Sequence, residues 1–202
     1  MIFIIDYNCG NLGSIKNMLN HLGIICEITN DLEKIYKAEK LILPGVGHFT
    51  HGMQQLASLG FSELIKEHSL IRQKPILGIC LGMQLMTNFS EEGNVNGLGL
   101  LDAQTKKFDI QDQNLKIPHM GWNEVYWQKE SRVLDCLSEN PSYYFVHSYY
   151  VECINQEDVL GTTHYNQDFV SAFQHDNIIG MQFHPEKSHR FGMELFKNFS
   201  KL

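Results

Sequence analysis

The stretch Ile76-Leu-Gly-Ile-Cys80-Leu-Gly-Met-Gln84 places one cysteine between two glycines, at the end of an apolar run and the start of a helix-like segment. Gly78-x-Cys80-x-Gly82 has the form of a nucleophile elbow, in which a strand turns abruptly into a helix and small residues on both sides permit the tight backbone. Such a turn projects the sulfur into a cleft. Free N–H groups and the positive dipole end at a helix start favour a thiolate and can stabilise an oxyanion. A cysteine taken alone is more often a small buried hydrophobe, so the catalytic reading needs a base elsewhere in the chain.

Working outward, the flanking pattern is α/β. Residues 2–5, 24–28 and 41–43 read as buried strands, 14–22, 50–59 and 61–72 as helices, and 76–79 as the strand that delivers Cys80. Beyond Gly99 the runs 104–108, 125–127, 143–152, 159–165, 169–174 and 178–183 read mainly as strands before a closing helix, in which Phe191, Leu195, Phe196 and Phe199 share a core-facing side. The expected architecture is a mostly parallel central sheet between helices with an added antiparallel section, and ligands at the carboxyl ends of the strands. No repeat, low-complexity tract or linker marks a boundary, so residues 1–202 are expected to form one domain.

The base is supplied by Gln182-Phe-His184-Pro185-Glu186-Lys-Ser188. In an extended segment, side chains two apart share a face, and Pro185 favours an extended His184, so Glu186 can orient the imidazole. Cys80, His184 and Glu186 then follow the logic of a nucleophile, a base and an orienting acid. Each has a bland alternative: a packed thiol, a satisfied histidine at a strand end, a solvated loop charge.

Composition narrows the field. The chain has 202 residues, 43% hydrophobic and 19% charged, enough for one well-buried core. A net charge of −7 with scattered Lys and Arg gives no basic surface for nucleic acid. Cys9, Cys26, Cys80, Cys136 and Cys153 are widely spaced without a C-x-x-C pair, which fits a reducing cytoplasm. Met1-Ile-Phe-Ile-Ile is too short for a signal sequence, no run approaches a bilayer span, and the ten histidines show no metal-ligand spacing.

The elbow, the Gln182–Ser188 block and Pro44-Gly-Val-Gly47 together resemble the class I glutamine amidotransferases. Lys116-Ile-Pro-His-Met-Gly-Trp-Asn123 and Tyr144-Phe-Val-His-Ser-Tyr149 are similar to the glutaminase subunit of imidazole glycerol phosphate synthase. The likeness covers essentially the whole chain. It implies the family's three-layer α/β fold and hydrolysis of L-glutamine to glutamate and ammonia, with no metal or organic cofactor. It assigns oxyanion donors at the Val46 and Leu81 N–H groups, with turnover gated by the 44–47 loop, and glutamine binding by Gln84, Glu92 and the backbone of Gly47, Ser148 and Tyr149. It places Pro118, His119, Met120, Trp122, Tyr144 and Lys187 at an interface with a (β/α)8-barrel cyclase that consumes the ammonia, since a chain of this length is expected to hold only the glutaminase module. Core packing is the alternative for Trp122 and Tyr144.

Three features depart from the family pattern: Asn8 and Asn166 where glycine is expected after a tyrosine, and the run Ser188-His189-Arg190. The segment Asn11–Leu19 is closer to paralogues thought to supply ammonia for amidation of a surface-polysaccharide sugar. Outside this family, a cysteine hydrolase would share the elbow and the Cys–His pair but not Glu92 or the 118–122 block. A nucleotide-binding module is opposed by Gly10-x-x-Gly13, which lacks the G-x-G-x-x-G spacing. An inactive interaction subunit is opposed by the intact Cys80, His184 and Glu186.

Overall fold

The computed structural model describes residues 1–109 and 115–202. In chain order the elements are β1 Ile2–Ile5, α1 Leu12–His21, β2 Cys26–Thr29, α2 Leu32–Lys37, β3 Lys40–Leu43, α3 Phe49–Ser58, α4 Phe61–Lys66, β4 Ile76–Ile79, α5 Leu81–Leu85, β5 Phe89–Ser90 and β6 Val95–Asn96. They continue with β7 Ala103–Lys107, β8 His119–Glu124, β9 Tyr126–Trp127, β10 Ser142–His147, β11 Tyr149–Cys153, β12 Val159–Tyr165, β13 Gln167–His175, β14 Ile178–Met181 and α6 His189–Phe199.

The main sheet runs β2-β1-β3-β4-β14-β13-β11-β7-β5-β6, with β12 on β13 and β9 on β12. Strands β2, β1, β3, β4 and β14 are parallel, and β13, β11 and β7 continue the sheet antiparallel. This is the α/β arrangement expected, with its parallel centre and its antiparallel addition. Alternation along β1 sends Phe3 and Ile5 to one buried cluster and Ile2 and Ile4 to the other, which is the period-two signature of a strand covered on both faces. Helices α3, α4 and α5 cover the first face through Phe49, Leu56, Phe61, Ile65 and Leu81. The other face is covered by α1 through Ile15 and Leu19 and by α6 through Leu195, Phe196 and Phe199.

Several element boundaries differ from the sequence reading, for local reasons. The first helix starts at Leu12 because the Asn11 side chain caps it, accepting the Ser14 N–H. The short helix α2 is capped by Asp31 and was not anticipated, being too brief for a periodic signal. The helix expected over 61–72 is α-helical only to Lys66 and continues as a π-helical turn, Glu67–Ile71. The run 143–152 is not one strand. It pairs with β8 up to His147, then crosses at Ser148 into the main sheet as β11, so β8 and β10 form a two-stranded sheet of their own.

Candidate active site

Strand β4 lies between β3 and β14, and Cys80 is the first residue beyond its end. The Cys80 N–H donates to the Met181 carbonyl at 2.8 Å and the Cys80 carbonyl accepts the Gln84 N–H at 3.2 Å, so the residue is held by strand and helix at once. Its backbone sits at φ 52° and ψ −109°, a conformation that costs on the order of 1–3 kcal/mol for a residue with a side chain. The flanking glycines are required by closeness. A Cβ on Gly82 would lie 1.8 Å from the Leu43 carbonyl oxygen, and one on Gly78 would lie 2.8 Å from the backbone of Met83.

The imidazole arrives from the next strand. Beyond β14 the His184 N–H donates to the Tyr144 carbonyl at 2.8 Å, and Ser188 locks the turn: its hydroxyl accepts the Tyr144 N–H at 3.0 Å and donates to the His184 carbonyl at 2.6 Å. His184 is extended, at φ −101° and ψ 95°, but Glu186 lies in a 3-10 turn over Pro185–Lys187, not in the continuous extended segment that the spacing predicted. The turn still brings Glu186 Oε1 to 2.7 Å from His184 Nδ1, with both side chains almost fully buried. The ring's Nε2 has no hydrogen-bond partner of normal geometry. Burial by itself lowers the His184 pKa, but hydrogen bonding and charge interaction with Cys80 and Glu186 outweigh it and raise the value to about 10.

Cys80 opens into a cavity of about 310 Å³ lined by Val46, Gly47, Leu81, Gln84, Glu92, Ser148 and Tyr149, together with Pro118, Val146 and His147. Every residue assigned from the resemblance to the oxyanion hole or to glutamine binding is in that wall. The loop 44–47 is anchored by the Tyr7 hydroxyl, which donates to the Pro44 carbonyl, while Val46 remains exposed. Glu92 is fixed at the start of α3, where its Oε2 accepts the Phe49 N–H at 2.7 Å. The Gln84 amide nitrogen is fully used, donating to the Tyr149 carbonyl at 3.1 Å and to Gln182 Oε1 at 2.9 Å. Among the described residues no cluster of three or more His, Cys, Asp or Glu side chains is arranged to hold a metal ion.

The residues expected at a partner interface divide. Met120 and Trp122 are 61% and 48% exposed, which removes the core-packing alternative for Trp122. Tyr144 is half-buried, its ring 6.2 Å from that of Trp122 and 5.5 Å from Lys187 Nζ. Pro118 lines the cavity, and His119 is buried. The reason for His119 is strand parity: along β8 the side chains of His119, Gly121 and Asn123 alternate with those of Met120, Trp122 and Glu124.

The departures from the family pattern also have a physical account. Asn8 and Asn166 have φ of 63° and 62°, and asparagine is among the few residues other than glycine that adopt this region readily. His189 has φ 46° and stacks on Trp122 with ring centroids 5.4 Å apart. Three residues at the site went unassigned in the sequence, the first being Val146, whose carbonyl lies 3.8 Å from the Cys80 sulfur. Gln182 is buried and its Nε2 donates to the Cys80 sulfur at 3.7 Å, and His147 lies in the cavity wall. The alternation of polar Gln182 and His184 with apolar Met181 and Phe183 was the available signal for Gln182.

Residues 3–202 match the class-I glutamine amidotransferase family. The chain is 53% identical over 201 residues to imidazole glycerol phosphate synthase subunit HisH 2 of Methanococcus maripaludis, covering 100% of this chain and 99% of the relative. It is 46% identical over 202 residues to the Pseudomonas aeruginosa protein of the same name, covering 100% of each. In fold it is similar to a crystal structure described as glutamine amidotransferase, with TM-score 0.78 at 16% identity, covering 100% of this chain and 98% of that one. The chain belongs to the class-I glutamine amidotransferase family, among the relatives of imidazole glycerol phosphate synthase subunit HisH.

Proposed function

We propose that this chain is the glutaminase subunit of imidazole glycerol phosphate synthase, acting in the cytoplasm in histidine biosynthesis. It hydrolyses L-glutamine and passes ammonia to a (β/α)8-barrel cyclase that forms imidazole glycerol phosphate and aminoimidazole carboxamide ribonucleotide. The observation that carries the reading is that Cys80, at a cavity lined by Gln84 and Glu92, interacts with His184 of the buried His184–Glu186 pair. The cavity's volume is at the small end of ligand sites and suits an amino acid. Glu92 offers a carboxylate to the α-ammonium group, and the backbone of Gly47, Ser148 and Tyr149 holds the rest of the substrate.

The Cys80 thiolate attacks the side-chain amide carbon. The resulting oxyanion is taken by the N–H groups of Val46 and Leu81. His184 gives its proton to the leaving nitrogen, ammonia departs, and a γ-glutamyl thioester remains on Cys80. His184 then accepts a proton from water as it attacks the thioester, releasing glutamate and the thiolate. Glu186 holds the Nδ1–H tautomer throughout, so that Nε2 is the nitrogen that exchanges protons. The barrel subunit docks on Met120, Trp122, Tyr144 and Lys187, and the loop 44–47 gates turnover. Full glutaminase activity of the isolated chain would refute that gating.

Cys80→Ala tests the assignment. Glutamine-dependent synthesis by the complex is expected to disappear while synthesis from free ammonia persists, and residual glutamine hydrolysis would overturn the nucleophile. Complementation of a histidine auxotroph lacking its glutaminase subunit, with the cognate barrel co-expressed, tests the pathway. Failure by a pair that is associated and active as a glutaminase would point instead to amidation of a surface sugar.

A further inference from the structure

Opposite the catalytic histidine, two other imidazoles form a hydrogen-bonded chain with a fixed direction. His147 Nδ1 lies 2.7 Å from the Tyr149 carbonyl oxygen, which can only accept, so Nδ1 carries the proton. His147 Nε2 must then accept, and it lies 2.9 Å from His119 Nδ1. His119 Nε2 is left as an acceptor, 3.2 Å from Asn123 Nδ2. The far end gives the same answer independently. Asn123 cannot be turned over, because its Nδ2 donates to the His164 carbonyl at 3.0 Å and its Oδ1 accepts the Glu124 N–H at 2.8 Å. Both rings are therefore neutral Nδ1–H tautomers with every nitrogen occupied.

The near end of the chain enters the active site. The same Tyr149 carbonyl accepts from Gln84, Gln84 donates to Gln182, and Gln182 donates to the Cys80 sulfur. The far end is β8, which carries Met120 and Trp122 exposed on its other face. The rings leave little room for slack. His119 is stacked on Tyr165 at 4.1 Å and lies 4.8 Å from Phe145, and His147 packs 5.2 Å from Phe169 and 5.4 Å from Phe108. The Tyr165 hydroxyl in turn donates to the Lys116 carbonyl at 2.7 Å, just before β8.

We propose that His119 and His147 are positioning residues that transmit the placement of strand β8 to the Tyr149 carbonyl and, through Gln84 and Gln182, to the Cys80 sulfur. The proposal rests on the reading of the cavity as the glutamine site. Two buried imidazoles are a costly way to fill a core, since each polar nitrogen must find a partner, whereas an apolar side chain of similar size needs none. Strand β8 has its backbone ladder with β10 outside the main sheet and is tied to β12 by Asn123 on the His164 carbonyl and by the Thr163 hydroxyl on the Glu124 carbonyl, so a partner seated on its Met120 and Trp122 face bears on these few bonds and on the imidazole chain. Burial lowers both pKa values, to about 4 for His119 and about 3 for His147, in keeping with rings that have no nitrogen free to take a second proton.

The test uses the full chain with its barrel partner. His119→Leu breaks the chain at its middle, whereas His119→Asn keeps a donor near the Nδ1 position. Partner-stimulated kcat/KM for glutamine is expected to fall about tenfold in His119→Leu and to recover most of the way in His119→Asn. Unchanged turnover in a folded His119→Leu protein, or equal losses in both variants at equal stability, would overturn the proposal. If His119→Leu does not fold, nitrogen NMR of histidine-labelled wild-type chain at pH 7 decides: neutral Nδ1–H tautomers for His119 and His147 support the proposal, and an Nε2–H or cationic ring refutes it. The tautomer measurement is independent of activity. A wild-type complex that fails to hydrolyse glutamine would instead bring down the functional reading beneath it.

Discussion

The elbow at 76–85 and the arm at 178–188 bring Cys80 and His184, the proposed nucleophile and base, together by opposite means. At the elbow the constraint is local and steric, in a positive φ at Cys80 and in two glycines whose missing side chains let the backbone of β3 and α5 approach. At the arm the constraint is long-range, in the Tyr144 and Ser188 bonds to His184 and in Phe183 stacked 4.1 Å from Tyr143. The elbow therefore tolerates almost no change of backbone volume, and the arm depends on partners far away in sequence.

The largest effect should come from breaking the elbow. Gly82→Ala places a methyl group against the Leu43 carbonyl, which cannot rotate away, and is expected to cost more than about 3 kcal/mol in urea unfolding. A stable, active Gly82→Ala protein would show that the elbow has slack. The next effect belongs to the arm. Glu186→Gln keeps the shape but removes the charge that orients His184, and turnover should drop about 10²-fold or more with unfolding changed by less than about 1 kcal/mol. Near-normal turnover would remove Glu186 from the catalytic group.

The smallest effect separates the buried imidazoles by pH. Burial lowers the pKa of His68, His119 and His147 from 6.5 to about 4, 4 and 3. Below pH 6.5 the unfolded chain binds protons that the folded one refuses, so their contribution is complete above 6.5 and declines as pH falls. The loss at pH 5 is on the order of 1–2 kcal/mol for each ring. His184, raised to about 10, behaves in the reverse sense: its contribution is complete below pH 6.5 and is lost as pH rises through about 10. Urea unfolding from pH 5 to 10 should trace a maximum near pH 6.5, with the acid limb reduced in His68→Gln. A stability that keeps rising towards pH 5 would contradict the neutral-imidazole assignment.

Much of the site was readable because the chemistry is encoded in short motifs. Gly78-x-Cys80-x-Gly82 identified the elbow from spacing alone, and the spacing of His184 and Glu186 anticipated their contact, although a 3-10 turn achieves it. Val46, Leu81, Gly47, Gln84, Glu92, Ser148 and Tyr149 came through the family resemblance, and all line the one cavity with Cys80. The break at Ser148 was not readable, because β10 and β11 share the same alternating pattern and only their pairing partners differ.

By itself the sequence determined the α/β class, the parallel centre, the elbow and which side chains are candidates for the reacting groups, because each rests on periodicity or on spacing within a few residues. The tertiary structure decided what those groups touch. It turned His119 inward by strand parity, set Pro118 in the cavity wall, and left Met120 and Trp122 outside. It also joined Asn123, His119, His147, Tyr149, Gln84, Gln182 and Cys80 into one hydrogen-bonded path. These residues come from separate strands and a helix, and a hydrogen bond depends on distance and direction in space, which sequence order does not specify.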